Sequence, residues 1–297
     1  MYLLIALATV LVHLAITTQL FGHGLINCFF WSLSCLVTIN TSAFFFFFFH
    51  ELLHGAIIRR GPLERALALI SGLFVLCSPT VWRKWHNKHH ATTGGRDDPD
   101  RARTPDLDDF SNVKTRIHHL FKKFRFSDAI SLFVPFGVII GHHFMMYIEM
   151  TTDKRLKFSE KVVMTVEYLF VISLFLIPLI ILGFTASFFG FYLPVILGQV
   201  ICNLYILSNH NTAFLTLKNK PLLNSVSVYM CERFPITHMG FGRHVEHHIF
   251  PEVSHGRLKE LSPIIRELAP ESFVEVNLWR TLLKLYRRQQ VHQTISE

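Results

Sequence analysis

From Met1 to Phe49 this chain contains no Asp, Glu, Lys or Arg. A second stretch, Val162 to Leu217, carries a single charge, Glu167. All 29 Lys and Arg therefore lie in 59–161 and 218–297. Two apolar blocks alternate with two basic ones, and that alternation sets the class before any motif is read. A helix crossing the hydrocarbon core of a bilayer needs about 20 mostly apolar residues. The first block divides at Phe21-Gly22-His23-Gly24 into 1–20 and 25–49, and the second near Gly183 to Gly190 into 162–183 and 187–208. Each piece is long enough to span. Residues 1–20 lack the basic start and small-residue cleavage site of a secretory signal, so they read as a retained helix.

Two hairpins, about 1–49 and 162–208, follow from this division. Neither hairpin tip holds Lys or Arg, so the tips are expected outside and the basic blocks, 50–161 and 209–297, in the cytoplasm. The expected architecture is an all-α, multi-pass integral membrane protein. It has about four transmembrane helices in two hairpins, and a cytoplasmic helical cap carries the histidine-rich groups. The whole chain, 1–297, reads as one domain. Two shorter apolar runs, 66–81 and 129–150, contain Gly and Pro and read as interfacial or re-entrant. The stretch 109–127 interleaves apolar residues with Lys and Arg, as a helix lying in the membrane interface does.

The formal net charge is +8. Because the basic residues flank apolar segments, anionic lipid headgroups rather than nucleic acid are the expected partner. The five cysteines form no C-x-x-C pair and read as packing residues.

Histidine is the residue type that carries chemistry here. Of 18 histidines, most of the clustered ones fall in three groups: His50 and His54 in HELLH, His86, His89 and His90 in WHNKHH, and His244, His247 and His248 in RHVEHHIFP. His210, in SNHN, follows the last apolar run. On a helix, residues at i, i+3 and i+4 share a face, so each group can aim its imidazoles at one point. Imidazole suits iron, copper, nickel and zinc. HELLH alone reads as the H-E-x-x-H of a zinc protease, with Glu51 as general base. That reading leaves two complete H-x-x-H-H groups unexplained, and the chain has no Asp-Gly pair of the kind intramembrane zinc proteases add. Glu51 is then a supporting partner for a histidine. A transporter would place its ligands near the bilayer midplane, whereas these groups sit at the ends of the apolar runs. Nine imidazoles are too many for one ion and suit two.

HELLH, WHNKHH followed by DDPD, SNHN and RHVEHHIFP, in this order and spacing, resemble the membrane fatty acid desaturase family. The resemblance covers essentially the whole chain. It implies two irons held by His50, His54, His86, His89, His90, His210, His244, His247 and His248, with O2 as co-substrate. It implies removal of two hydrogens from adjacent carbons of an acyl chain bound in an apolar tunnel. The metal supplies the difficult chemistry and the protein supplies binding and orientation. Asn209 and Asn211 are candidates for holding a metal-bound water, and Asp97 and Asp98, with Asp100, for supporting the histidines. The H-x-x-x-H spacing of the first group is closer to enzymes acting on acyl chains already in lipids than to acyl-CoA enzymes. With no His-Pro-Gly-Gly haem motif in the chain, electrons would arrive from a separate ferredoxin or b-type cytochrome and its reductase. Carotenoid ketolases and hydroxylases carry similar boxes and are the nearest alternative.

The remaining histidines read as structural. His13 and His23 lie in the first hairpin and His118-His119 in the basic stretch; His142-His143 and His238 read as packing or supporting residues, and His255 and His292 as surface residues. The six phenylalanines 44–49 read as lipid-facing and packing surface. Ser262-Pro263 reads as a helix start, with helices over 263–288 presenting an apolar face around Leu268, Trp279, Leu282 and Leu283.

Overall fold

The computed structural model describes residues 1–20, 24–95, 97–100, 142–210, 213, 216, 219–229 and 238–287. The interfacial stretch 109–127, residues 129–141, Asn211, Cys231, His23, His118-His119 and His292 lie outside the described residues. The described chain forms two compact units. The first comprises Met1–Trp82, Ile139–Cys202 and Ile236–Met239, and the second Arg83–Val138, Asn203–Pro235 and Gly240–Glu297, as far as these are described.

Helices dominate both. In chain order they are α1 (Tyr2–Leu20), α2 (Leu25–His54), α3 (Pro62–Val75) and α4 (Pro79–Thr92). Residues 142–152 form α5. Then come α6 (Phe158–Ser187), a π-helical turn (Phe188–Tyr192) and α7 (Leu193–His210). A short strand β1 (Ser227–Tyr229), α8 (His244–Ile249), α9 (His255–Leu268), β2 (Glu275–Asn277) and α10 (Leu278–Arg287) follow. The two strands pair in parallel, Ser227 opposite Glu275, a small sheet that the all-helical reading did not contain.

Among the described residues, three helical stretches are long and apolar enough to cross a membrane: Tyr2–Gln19, Leu25–His54 and Phe158–His210. The third is not one rod. Gly183 has φ +74° and leaves the helical path. Beyond it the chain folds back: the Tyr192 hydroxyl donates to the Phe175 carbonyl at 3.0 Å, and the Phe175 and Tyr192 rings stand 4.8 Å apart. A straight helix would separate residues 17 apart by about 25 Å. The expected reversal therefore exists, with its break at Gly183. Helices α3 and α4 are bent by 83° at a short break, so the apolar run 66–81 ends in a sharp corner.

The core of the first unit explains the phenylalanine run. Phe44 and Phe45 pack with Ala6 and Val10 of α1, Phe74 of α3, and Phe191 and Val195. Phe45 and Phe74 stack face to face at 3.8 Å. Phe44, Phe45, Phe46, Phe47 and Phe49 are all buried. The lipid-facing reading of this run is corrected: α1, α3 and α7 surround this part of α2, so consecutive residues on every side of the helix meet protein. Close approach is made possible by Gly198, where a Cβ would lie 2.6 Å from Ser42 Cβ and 2.8 Å from the Ile39 carbonyl.

Several buried polar groups in this unit pair across helices. The Trp31 indole donates to Thr17 Oγ1 at 3.1 Å, and His13 Nδ1 lies 2.8 Å from Ser34 Oγ. These contacts join α1 to α2 and give His13 its structural role. Glu167, the single charge of the second apolar block, accepts from Ser78 Oγ at 2.7 Å and from the Thr80 backbone N–H at 2.9 Å. It also pairs with Arg65 at 3.0 Å. The carboxylate thus sits at the N-terminal turn of α4, where unsatisfied backbone N–H groups favour an anion.

In the second unit, Val245, Ile265 and Phe273 form a small apolar core. Helix α9 starts at His255, not at Pro263, which lies inside it. The expected start fails because the Ser262 hydroxyl is engaged by Glu246 rather than capping a helix. Leu268, Trp279 and Leu283 are exposed, whereas Leu258, Ile265 and Leu278 are buried.

Candidate metal centre

Helix α4 carries His86, His89 and His90 on successive turns. After it, Gly94 turns the chain so that Asp98 comes back beneath the helix. The buried Asp98 carboxylate accepts from the Gly94 backbone N–H at 2.8 Å and lies 2.8 Å from His89 Nδ1. Asp100 is 3.6 Å from the same nitrogen and accepts from the Trp85 indole at 3.1 Å. A carboxylate on Nδ1 holds the proton there and leaves Nε2 as the lone-pair donor, the usual support of a metal-bound imidazole. Asp97, in contrast, is exposed.

Two other histidines of this unit, His210 and His248, show the same logic with different partners. His210, at the end of α7, points Nδ1 at the Asn224 carbonyl, 3.4 Å away. His248 Nδ1 lies 3.2 Å from Thr93 Oγ1, and that hydroxyl donates to the His89 carbonyl at 2.6 Å. In each case Nδ1 is occupied, and the Nε2 atoms converge.

The convergence is tight. His210 and His244 approach Nε2 to Nε2 at 2.7 Å, His244 and His248 at 3.1 Å. His90 approaches His86 at 3.0 Å and His247 at 3.2 Å. The ligand atoms of His89, His210 and His248 all lie within 4.8 Å of one another, and so do those of His86, His90 and His247. Burial, then the neighbouring imidazoles of His90, His244, His210 and His89, push the His248 pKa well below its ordinary value. Neutral imidazoles with nitrogens facing one another present lone pairs to a common point. A cation placed there meets every one of them, and an all-nitrogen set of this kind suits a first-row transition metal. The donors therefore fit metal, and two trios fit two ions.

In the first unit, His50 and His54 lie on the last turn of α2, ring centroids 4.8 Å apart. Trp82 packs edge-on against both, at 5.3 Å and 5.9 Å. The Glu51 carboxylate is 3.0 Å from His50 Nδ1. It is turned onto the histidine beside it, as a support rather than as a base facing a reactant.

Asn209 is fully buried, and among the described residues its side-chain oxygen and nitrogen meet no hydrogen-bond partner. His238 Nε2 lies 3.1 Å from Asn40 Oδ1 on α2, a structural contact in the first unit. His143 is buried, with its ring 5.9 Å from that of His142. His255 is half-buried rather than fully exposed, and burial pushes its pKa down to about 4. Sequence reasoning missed Thr93, Asn224, Ser227 and Ser262 as supports, and it gave no role to Glu246. Only Glu246 carried a local signal, being an acid enclosed by the third histidine group.

Long apolar helices and converging, carboxylate-supported imidazoles define a class: membrane-type proteins whose chemistry belongs to histidine-held metal. Comparison of sequences then gives the family. The model of the fatty acid desaturase family matches residues 25–279, and the chain belongs to that family. No curated protein matches it.

Proposed function

We propose that this protein is an oxygen-dependent desaturase that introduces a double bond into an acyl chain carried by a membrane lipid. His50, His54, His86, His89, His90, His210, His244, His247 and His248 hold two irons, which supply the oxidising power when bound. The observation that carries the reading is the convergence of six imidazole nitrogens in two trios, His86/His90/His247 and His89/His210/His248, in a chain of the desaturase family. The reaction balances as –CH2–CH2– plus O2, two electrons and two protons giving –CH=CH– and two waters. The electrons come from a separate one-electron carrier, a ferredoxin or b-type cytochrome with its reductase.

The chain's own residues have assigned tasks. Asp98, the Asn224 carbonyl and Thr93 occupy Nδ1 of His89, His210 and His248, so each imidazole is turned with Nε2 as its lone-pair donor. Glu51 does the same for His50. Apolar helices bind the acyl chain and exclude water. The first box, H-x-x-x-H, supports an acyl-lipid substrate. The positive-inside distribution of Lys and Arg supports a centre on the cytoplasmic side.

The test is mass spectrometry of total lipids from a host making the protein, against His247→Ala at matched expression. Acyl chains lacking two hydrogens only with the intact protein are the expected outcome, and fragmentation locates the double bond. Added oxygen instead of lost hydrogen, on acyl chains or carotenoids, would replace desaturation by hydroxylation or ketolation.

A further inference from the structure

We infer that Glu246 is the positioning residue of the third histidine group, holding α8 from the face opposite its ligands. The inference rests on the reading of His244, His247 and His248 as metal ligands, and concerns how they are kept in place.

Helix α8 has six residues and no side-chain cap at its N-terminus. A helix this short has no stability of its own, so its orientation comes from what it touches. At about 100° per residue, positions two before and two after a given residue lie on the far side of the helix from it. Glu246 therefore points away from His244 and His248. It is completely buried, yet it is no ligand. One carboxylate oxygen accepts from Ser227 Oγ of β1 at 2.5 Å. The other accepts from Ser262 Oγ of α9. Each serine is itself held by a donor. Ser227 Oγ accepts from the Val245 backbone N–H at 3.1 Å, and Ser262 Oγ from the Arg243 guanidinium. Arg243 also lies 3.7 Å from the carboxylate and compensates its charge.

The anchors are fixed in turn. Ser227 sits in the strand pair with β2, and the Val228 N–H donates to the Gly242 carbonyl at 2.7 Å, just ahead of α8. Ser262 lies on α9, whose Ile265 packs against Val245. Glu246 therefore ties the histidine helix to a strand on one side and to a helix on the other. Releasing it removes both hydrogen bonds that tie this face of α8 to the strand and to α9, and a rotation displaces all three imidazoles together.

The experiment compares wild type with Glu246→Gln, Glu246→Ala, Ser262→Ala and Glu260→Gln, the last on the exposed side of α9. The purified full-length proteins are stripped and titrated with Co(II), whose visible absorption reports coordination geometry. Circular dichroism and size exclusion report folding. Folded Glu246→Gln and Ser262→Ala are expected to bind Co(II) on the order of 10-fold more weakly, with an altered visible spectrum, and Glu260→Gln like wild type. If Glu246→Ala does not fold, the other two variants decide. Wild-type cobalt affinity and spectrum in both would overturn the inference. Because no substrate is involved, wild-type protein that binds cobalt but desaturates no lipid would count against the proposed function alone.

Discussion

The protons that the site must exclude are legible one residue at a time. Burial and four neighbouring imidazoles keep His248 neutral, and burial takes His255 down to about 4. An unfolded histidine takes up a proton near pH 6.5. Between that value and the lowered folded one, the unfolded state holds more protons, so stability rises with pH. Metal-free protein is therefore expected to lose thermal stability as pH falls below about 6.5, down to about 4 for the His255 contribution. Melting curves from pH 8 to 5, with His255→Gln as comparison, check this; a flat profile would remove both histidines from the argument. At this scale the sequence showed the ligand candidates plainly, because i, i+3, i+4 spacing is local. It showed their supports poorly. Thr93 reaches His248 across 155 positions, and no local pattern encodes such a contact. Asp98 was a candidate only because DDPD follows the second box, and nothing local separated it from the exposed Asp97.

Elements were legible where one force dominates. Hydropathy alone placed α1, α2 and the arms of the second hairpin. It misplaced the start of α9, since a Ser-Pro pair looks the same whether the hydroxyl caps a helix or serves a buried carboxylate. It also sent the phenylalanine run to the lipid, because composition does not say how many helices surround a segment. Glu167 was visible as a lone charge in an apolar block, but its partners Ser78 and Thr80 lie 89 and 87 positions away. Glu167→Leu leaves the Thr80 backbone N–H and the hydroxyls of Ser78 and Thr80 without their acceptor, while the half-exposed Arg65 turns to water. A loss of about 2 kcal/mol is expected, read as a lowered melting temperature in detergent. An unchanged melting temperature would mean that water replaces the carboxylate at no cost.

For the whole molecule, the alternation of apolar and basic blocks announced a membrane protein, and the family match agrees with that class. The division into two compact units was not legible. Two of its boundaries fall at Trp82 and Cys202, inside α4 and α7, where the chain has no linker. Orientation is testable directly. Cys28 is exposed near the tip of the first hairpin, while Cys35, Cys77 and Cys202 are buried. A membrane-impermeant maleimide is expected to label intact cells through Cys28 and to lose that labelling in Cys28→Ser. Labelling of Cys28 only after permeabilisation would invert the proposed topology.

The seven clustered imidazoles of the second unit, those of the two H-x-x-H-H groups and His210, have a cellular consequence. Such a cage of imidazole nitrogens would grip divalent metals in the Irving–Williams order, with copper and zinc held more firmly than ferrous ion. Its geometry does not by itself favour iron, so loading follows whichever metal the cell leaves free when the chain folds. Mismetallation is thus an inherent hazard of this design: the same polypeptide, matured in a zinc-rich cell, would be well folded, fully occupied and chemically silent.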